Sequence, residues 1–135
     1  MPTVEQNKQR LNQEIAEMFR CDVRDWANDI ELAFELLDVV SHIHLHFGVS
    51  GRVWGVQYNK VMNGDKIASY NYSCKFYGHD WHQAQDLSYA ICKAARAMLR
   101  EWHDIEDERH KSFGAPNTFD VYNRYDQGLR FSAQR

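Results

Sequence analysis

The fold class is decided by residues 52–77, which read RVWGVQYNKVMNGDKIASYNYSCKFY. Apolar and polar residues alternate on both sides of Asn63-Gly64-Asp65, whose composition is typical of a hairpin turn. The pattern predicts two antiparallel strands, at about 52–60 and 66–77. Because successive side chains of a strand point to opposite faces, one face of this hairpin is mostly apolar. We expect that face to pack against helices; it carries Trp54, Val56, Tyr58, Ala68, Tyr70, Tyr72, Cys74 and Phe76.

A further strand is predicted immediately upstream of this hairpin. Residues 42–47 read HIHLHF, so that histidines alternate with apolar residues. A period of two is the pattern of a half-buried strand. Residues 48–51 then predict the turn into the next strand, which completes a three-stranded antiparallel meander.

Two helices are predicted before the sheet. Residues Val4–Phe19 carry a narrow apolar stripe at helical spacing on a mostly polar background. Such a helix needs a partner surface in its own domain or in another subunit. The second helix is predicted to begin at Asp22 or Asp25, either of which suits an N-cap, and to end near Val40.

The longest predicted helix follows the sheet. Asp80 and Gln83 form a plausible capping pair at its start. An apolar stripe then continues at helical spacing to Ile105, and residues 114–116 read GAP, which stops a helix. The tail beyond this point is rich in aromatic residues but has no clear period.

These elements predict an α+β fold, in which a three-stranded antiparallel sheet packs with helices in the order α-α-β-β-β-α, followed by an irregular C-terminal tail. We predict a single domain over residues 1–135. Within it, residues 4–19 form a helical N-terminal extension, residues 22–111 the α+β core, and residues 117–135 the aromatic tail.

Composition and charge restrict the class of protein. Sixteen basic and nineteen acidic residues give a formal net charge of −3, which does not favour nucleic acid as a partner. No apolar run is long enough to cross a bilayer, and the polar N-terminus is unlike a signal peptide, so we expect a cytoplasmic protein. The three cysteines are expected to be reduced and structural; they are Cys21, Cys74 and Cys92.

The histidines form the sharpest chemical pattern. On a strand, His42, His44 and His46 would share the polar face, and neutral imidazoles placed in this way can bind a transition metal. His79 and His82 follow the third predicted strand, with an aspartate between them. These five residues are therefore the candidate ligands of a zinc or iron site. The simpler interpretation, which we favour, is a row of histidines facing solvent or a partner, with no cofactor.

The chain contains no catalytic motif. It lacks the glycine-rich phosphate-binding loops of nucleotide-binding proteins and the G-x-S-x-G turn of hydrolases. Cys21 lies next to an aspartate, which would raise the pKa of its thiol rather than activate it. These observations favour a non-enzymatic protein.

Residues from about Cys21 to Leu99 resemble the phage ABA-sandwich domain, a family of small phage and prophage accessory proteins. The resemblance rests on Asp25-Trp26, Leu36-Leu37, Trp54 and, above all, residues 84–95, which read AQDLSYAICKAA. The family has no established catalytic residues, so none is transferred to this chain. What the resemblance implies is a bacteriophage protein that acts in the cytoplasm of its bacterial host.

That origin implies a function by analogy. Small phage proteins of this kind are often inhibitors of host machinery, so we expect a protein that binds a host defence system, in the manner of an anti-CRISPR, or a nucleic-acid-handling complex. The expected partner-binding residues lie in the aromatic tail and are Tyr122, Arg124, Tyr125, Arg130 and Phe131. Two alternatives remain open at this stage: a metal-binding protein or metalloenzyme that uses the histidines, and a structural homodimer.

Overall fold

The computed structural model describes residues 1–46 and 53–113, with the side chains of residues 1–42 and 53–104. It confirms the α+β class and the predicted order of elements. In chain order these are α1 (Val4–Phe19), α2 (Ile30–His46), β1 (Trp54–Asn63), β2 (Lys66–Phe76), β3 (His82–Ala84) and α3 (Leu87–Phe113). Within the described ranges, no helix combines the length and the apolar character that a membrane crossing would require.

The strand predicted at residues 42–47 is wrong. Residues 42–46 continue α2, and Phe47 lies outside the described residues. Once a helix has formed, each added residue gains a hydrogen bond at little further cost, so α2 can extend through an alternating segment. A side-chain contact within the helix accompanies this extension, since His42 Nε2 lies 3.7 Å from Asp38 Oδ2, one turn earlier.

The predicted helix starts also need correction. Asp29, rather than Asp22 or Asp25, caps α2, because its Oδ1 accepts hydrogen bonds from the backbone N–H groups of residues 31 and 32. Likewise Asp86, rather than Asp80, caps α3, and its Oδ1 accepts from the N–H of Tyr89 at 2.8 Å. The third strand is the short β3, which occupies the segment where the sequence predicted the beginning of the long helix.

The three strands form one antiparallel sheet in the order β1-β2-β3. The β1–β2 hairpin is long, and Trp54 pairs with Phe76 at its open end. At its closed end Gly64 has a φ of 64°, a conformation that a two-residue hairpin loop requires and that glycine adopts without strain. A change of register after Val61 marks a bulge near the tip.

Helix α3 is the centre of the packing. It contacts α1, α2, β2 and β3, whereas β1 has its main contacts with β2 alone. The predicted apolar stripe of α3 is largely buried, and so are those of α1 and α2. The largest fully buried side chains come from α1, α2, β2 and α3: Leu11, Ile15, Leu37, Val40, Cys74, Phe76, Ile91, Cys92, Met98 and Leu99. Helix α1 therefore finds its partner surface within this chain.

Polar contacts hold the segment between α1 and α2 in place. The side chain of Asn12, on α1, is almost completely buried. Its Oδ1 accepts a hydrogen bond from the N–H of Ala27 at 3.0 Å, and its Nδ2 donates to Asp25 Oδ1 at 2.9 Å. A buried N–H without an acceptor is costly, so this amide fixes the turn that leads into α2.

We predict that Asn12→Ala lowers the free energy of unfolding by about 2 kcal/mol, because it leaves the buried N–H of Ala27 without its acceptor. Urea denaturation followed by circular dichroism measures the change. Gln13→Ala is the matched control, since this neighbouring amide is exposed, and it should stay within about 0.5 kcal/mol of the parent chain. Equal stability of the two variants would contradict the role given to Asn12.

Candidate functional site

The structure divides the five histidines that were predicted as metal ligands. His42, His44 and His46 lie on α2 rather than on a strand, and the side chains of the last two are outside the described residues. On a helix, residues two apart are separated by about 200° around the axis, so the predicted common face of these three is lost. His79 instead lies in the turn between β2 and β3, and His82 is the first residue of β3.

His79 and His82 share a cleft between that turn and α3. Its volume is about 250 Å³, and it is lined by Phe76, His79, Asp80, His82, Ala94, Ala97, Met98 and Glu101. His79 Nδ1 lies 3.2 Å from Glu101 Oε2 across the cleft. The pKa of His82 is lowered from its usual 6.5, first by burial and then by the nearby charges of Arg96 and Lys93. These surroundings favour the neutral form of His82, and only the charge of Asp80 opposes them.

The chemistry available in this cleft is limited. Two imidazoles and two carboxylates could exchange protons with a bound molecule. No serine, threonine or cysteine is among the lining residues, so the cleft offers no hydroxyl or thiol nucleophile. Within the described part of the chain, no group of three or more histidine, cysteine or carboxylate side chains is arranged to hold a metal ion.

Two of the three cysteines, Cys74 and Cys92, are buried and poor nucleophiles. None of the three forms a disulfide. Burial raises the pKa of the Cys74 thiol to about 12 and that of the Cys92 thiol further still. A buried thiol that stays protonated is a poor nucleophile and packs as a small apolar group.

The most unusual surface is the projecting part of the β1–β2 hairpin, Val56–Tyr70, which we call the arm. Every residue of the arm is exposed, on both faces of the hairpin. At about 3.3 Å per residue, the arm extends roughly 20 Å beyond the sheet that α3 covers. Six large apolar side chains of the arm are at least one-third exposed: Val56, Tyr58, Val61, Met62, Ile67 and Tyr70.

The backbone of the arm forms a regular antiparallel hairpin. Its two strands pair along their whole length, apart from the bulge after Val61. The rings of Tyr58 and Tyr70 meet edge to face, with centroids 5.8 Å apart. The other edge of β1 pairs with no strand among the described residues, so its backbone groups are available for pairing.

An aromatic cluster lies at the root of the arm. Lys75 Nζ is 4.9 Å from the ring centroid of Trp81 and 5.6 Å from that of Tyr77. Both rings are more than one-third exposed. Lys75 lies between Cys74 and Phe76, whose side chains are in the core, so the Lys75 side chain lies on the sheet face opposite α3. A Cβ atom at Gly55 would lie 3.7 Å from the ring of Trp81, so the indole rests close to the β1 backbone.

Sequence reasoning missed the arm. It assigned the apolar face of the hairpin to the core, which holds for Cys74 and Phe76 but not for Tyr58 or Tyr70. The signal that could have revealed it lies next to the turn, where Val61, Met62 and Ile67 surround a tip that is usually polar. The predicted binding residues Tyr122, Arg124, Tyr125, Arg130 and Phe131 lie outside the described residues.

Searches for a matching protein family, for similar curated proteins and for similar solved structures found no match. The resemblance to the phage ABA-sandwich domain therefore stays a prediction. The geometry of the arm, the root cluster and the histidine cleft is what the chain offers for assigning a function.

We predict that the ring of His82 titrates with a midpoint below 6.5, because burial and two neighbouring cations disfavour its protonated form. Since the unfolded chain then binds this proton more readily, His82 should lower the stability of the fold as the pH falls through 6.5. NMR titration of the imidazole measures the midpoint. Arg96→Gln should move it upward, whereas a midpoint at or above 6.5 in the parent chain would contradict the assignment.

Proposed function

We propose that this chain is a non-enzymatic binding protein that attaches to a partner protein through the arm and its root cluster. The observation that carries the proposal is the continuous exposure of Val56–Tyr70 together with its six large apolar side chains. An isolated two-stranded hairpin is only marginally stable in water, and contiguous exposed apolar surface is typical of interaction sites. A partner that covers the arm would bury this surface.

The chemistry of the arm favours protein over nucleic acid. Four of its six large apolar side chains are aliphatic or thioether groups, which have no flat ring on which a base could stack. The arm contains two lysines and one aspartate, which is too little positive charge for strong phosphate binding. Such side chains suit an apolar protein groove, with acidic groups of the partner opposite Lys60 and Lys66.

The arm offers two means of recognition. The free edge of β1 can accept a strand of the partner, whose backbone hydrogen bonds would contribute affinity. Side chains on both faces can enter pockets on either side of that strand, which would contribute specificity. Trp81 and Tyr77 belong to the residue types that most often dominate interface energies.

The class of partner follows from the sequence resemblance rather than from the geometry. The version of the proposal that this resemblance favours is a phage protein that binds and inhibits a host protein in the bacterial cytoplasm. The target would be a defence system, as for anti-CRISPR proteins, or a nucleic-acid-handling complex. Non-enzymatic inhibition of this kind requires an exposed contact surface and no catalytic centre.

We predict that Val61→Thr combined with Ile67→Thr weakens partner capture at least about tenfold, because a hydroxyl replaces a methyl group of Val61 and the ethyl group of Ile67 on the contact surface. The measurement is capture from bacterial lysate by the tagged full chain, with and without nuclease, quantified by mass spectrometry. Val23→Thr is the matched control, since it makes the same change at an exposed position outside the arm.

One stoichiometric protein that survives nuclease, persists with Val23→Thr and is lost with the arm variant would support the proposal. Equal capture by the arm variant would contradict it, and capture that disappears with nuclease would indicate nucleic acid instead. A chain that ends after Pro116 tests the sequence prediction for the aromatic tail: full capture by this folded truncation would remove the tail from the interface. Unchanged circular dichroism must accompany each variant.

Metal binding is the second candidate, and it comes from the sequence. Two of its five candidate ligands, His79 and His82, line one cleft with Asp80 and Glu101, although these side chains are not arranged as a metal-binding group in the described part of the chain. If a zinc or iron ion binds there, protein purified without chelator should contain about one metal per chain, and chelator should lower its melting temperature. His82→Ala should then abolish the metal content, whereas His42→Ala, on α2, should not. Metal-free protein without a thermal shift on added Zn²⁺ would exclude this function.

A homodimer is the third candidate from the sequence. The free edge of β1 could pair with that of a second copy, which would join two sheets. Light scattering over a range of concentrations distinguishes this arrangement from the proposed heteromeric contact. A concentration-independent monomer would exclude it.

A further inference from the structure

A groove between α1 and α3 contains more positive than negative charge. Its volume is about 230 Å³. Its lining residues come from both helices: Asn7, Arg10, Leu11 and Glu14 from α1, and Tyr89, Lys93 and Arg96 from α3. Three of these side chains are cationic and one is anionic. No lining residue belongs to the arm, so the groove and the arm are separate surfaces.

Glu14 provides the single carboxylate among the lining residues, and this carboxylate already pairs with two arginines. Glu14 Oε2 accepts a hydrogen bond from Arg96 Nη1 at 3.0 Å and another from Arg100 Nη2 at 3.2 Å. Among the described residues, Arg10 and Lys93 form no ion pair with a carboxylate. Neither of these two cations therefore has a carboxylate within ion-pair distance in the described part of the fold, although the charge of Asp86 acts on Lys93.

Lys93 is the cation of the groove whose surroundings disfavour its charged form. Its Nζ donates to the carbonyl oxygen of Gln83 at 2.9 Å and lies 4.4 Å from the ring centroid of Tyr89. Burial lowers the pKa of Lys93, the neighbouring charge of Arg96 lowers it further, and Asp86 opposes both. A bound anion would relieve the repulsion between Lys93 and Arg96 and would stabilise both protonated side chains.

The remaining members of the groove suit a small oxyanion. Arginine presents several N–H donors in a planar fork that matches phosphate oxygens, and lysine adds a compact positive charge. The amide of Asn7 can donate a further hydrogen bond. Lys8, which borders the groove, is engaged elsewhere, because its Nζ pairs with Asp86 Oδ2 at 2.7 Å.

We propose that the groove between α1 and α3 binds a terminal phosphate group, held by Arg10, Lys93 and Arg96. A phosphate monoester carries nearly two negative charges and three acceptor oxygens, which corresponds to the two unmatched cations and their donors. The same chemistry could come from a phosphorylated side chain or from a mononucleotide.

Calorimetric titration of the full chain at low ionic strength tests this inference. The probes are inorganic phosphate, a phosphoserine peptide, adenosine monophosphate and a short single-stranded oligonucleotide without terminal phosphate. We expect one saturable site for the first three, and the tighter of the peptide and the mononucleotide identifies the source. Arg10→Gln should weaken binding at least about fivefold, and its combination with Lys93→Gln at least about tenfold.

Lys60→Gln is the matched control, because it removes the same charge from the arm, and it should leave the affinity for phosphate unchanged. Arg10 is exposed, so Arg10→Gln keeps the test valid even if the change at Lys93 disturbs the fold. The inference is overturned if phosphate and both monoesters show no saturable binding, if Lys60→Gln weakens it equally, or if the oligonucleotide binds more tightly than the monoesters.

Discussion

The carboxylate of Asp86 is the contact on which the arrangement of the fold depends. One oxygen caps α3 through the N–H of Tyr89, and the other accepts from Lys8 Nζ at 2.7 Å. Lys8 is almost fully buried and also donates to Asn28 Oδ1, in the segment between α1 and α2. A buried ammonium group is tolerated only when it is paired and hydrogen-bonded, so these partners fix α1, the connecting segment and the start of α3 relative to one another.

The position of α3 then determines what the sheet exposes. Because only two residues separate β3 from α3, the helix passes along the open end of the sheet, where Phe76 and Cys74 are buried. The long hairpin continues past the covered region, and its distal part becomes the arm. The same helix, held against α1, forms the other wall of the phosphate groove. Both proposed binding surfaces are therefore consequences of where one helix starts.

The sequence was sufficient for elements whose pattern has a single explanation. The stripes of α1 and α3 each fit one period over many residues, and the composition of Asn63-Gly64-Asp65 is typical of a hairpin turn. The structure has all three. The alternation of residues 42–46 fits a strand when it is considered alone. These residues follow a helix, however, and extending an existing helix costs less than starting a new element. The caps were ambiguous because several aspartates precede each helix, and only tertiary contacts decide between them: Asp25 binds Asn12 and Asn28 instead of capping α2.

The candidate sites were harder to predict, because alternation along a strand shows which side chains share a face but not whether anything covers that face. Tyr72 and Tyr58 face each other in the register, yet Tyr72 is half-buried and Tyr58 is 61% exposed. The difference arises from the reach of α3 along the hairpin, which no local pattern encodes. The groove has the same origin, since Arg10 and Lys93 are 83 positions apart in the chain and become neighbours only through the packing of α1 on α3. Surfaces made by such distant segments need the fold before they can be recognised.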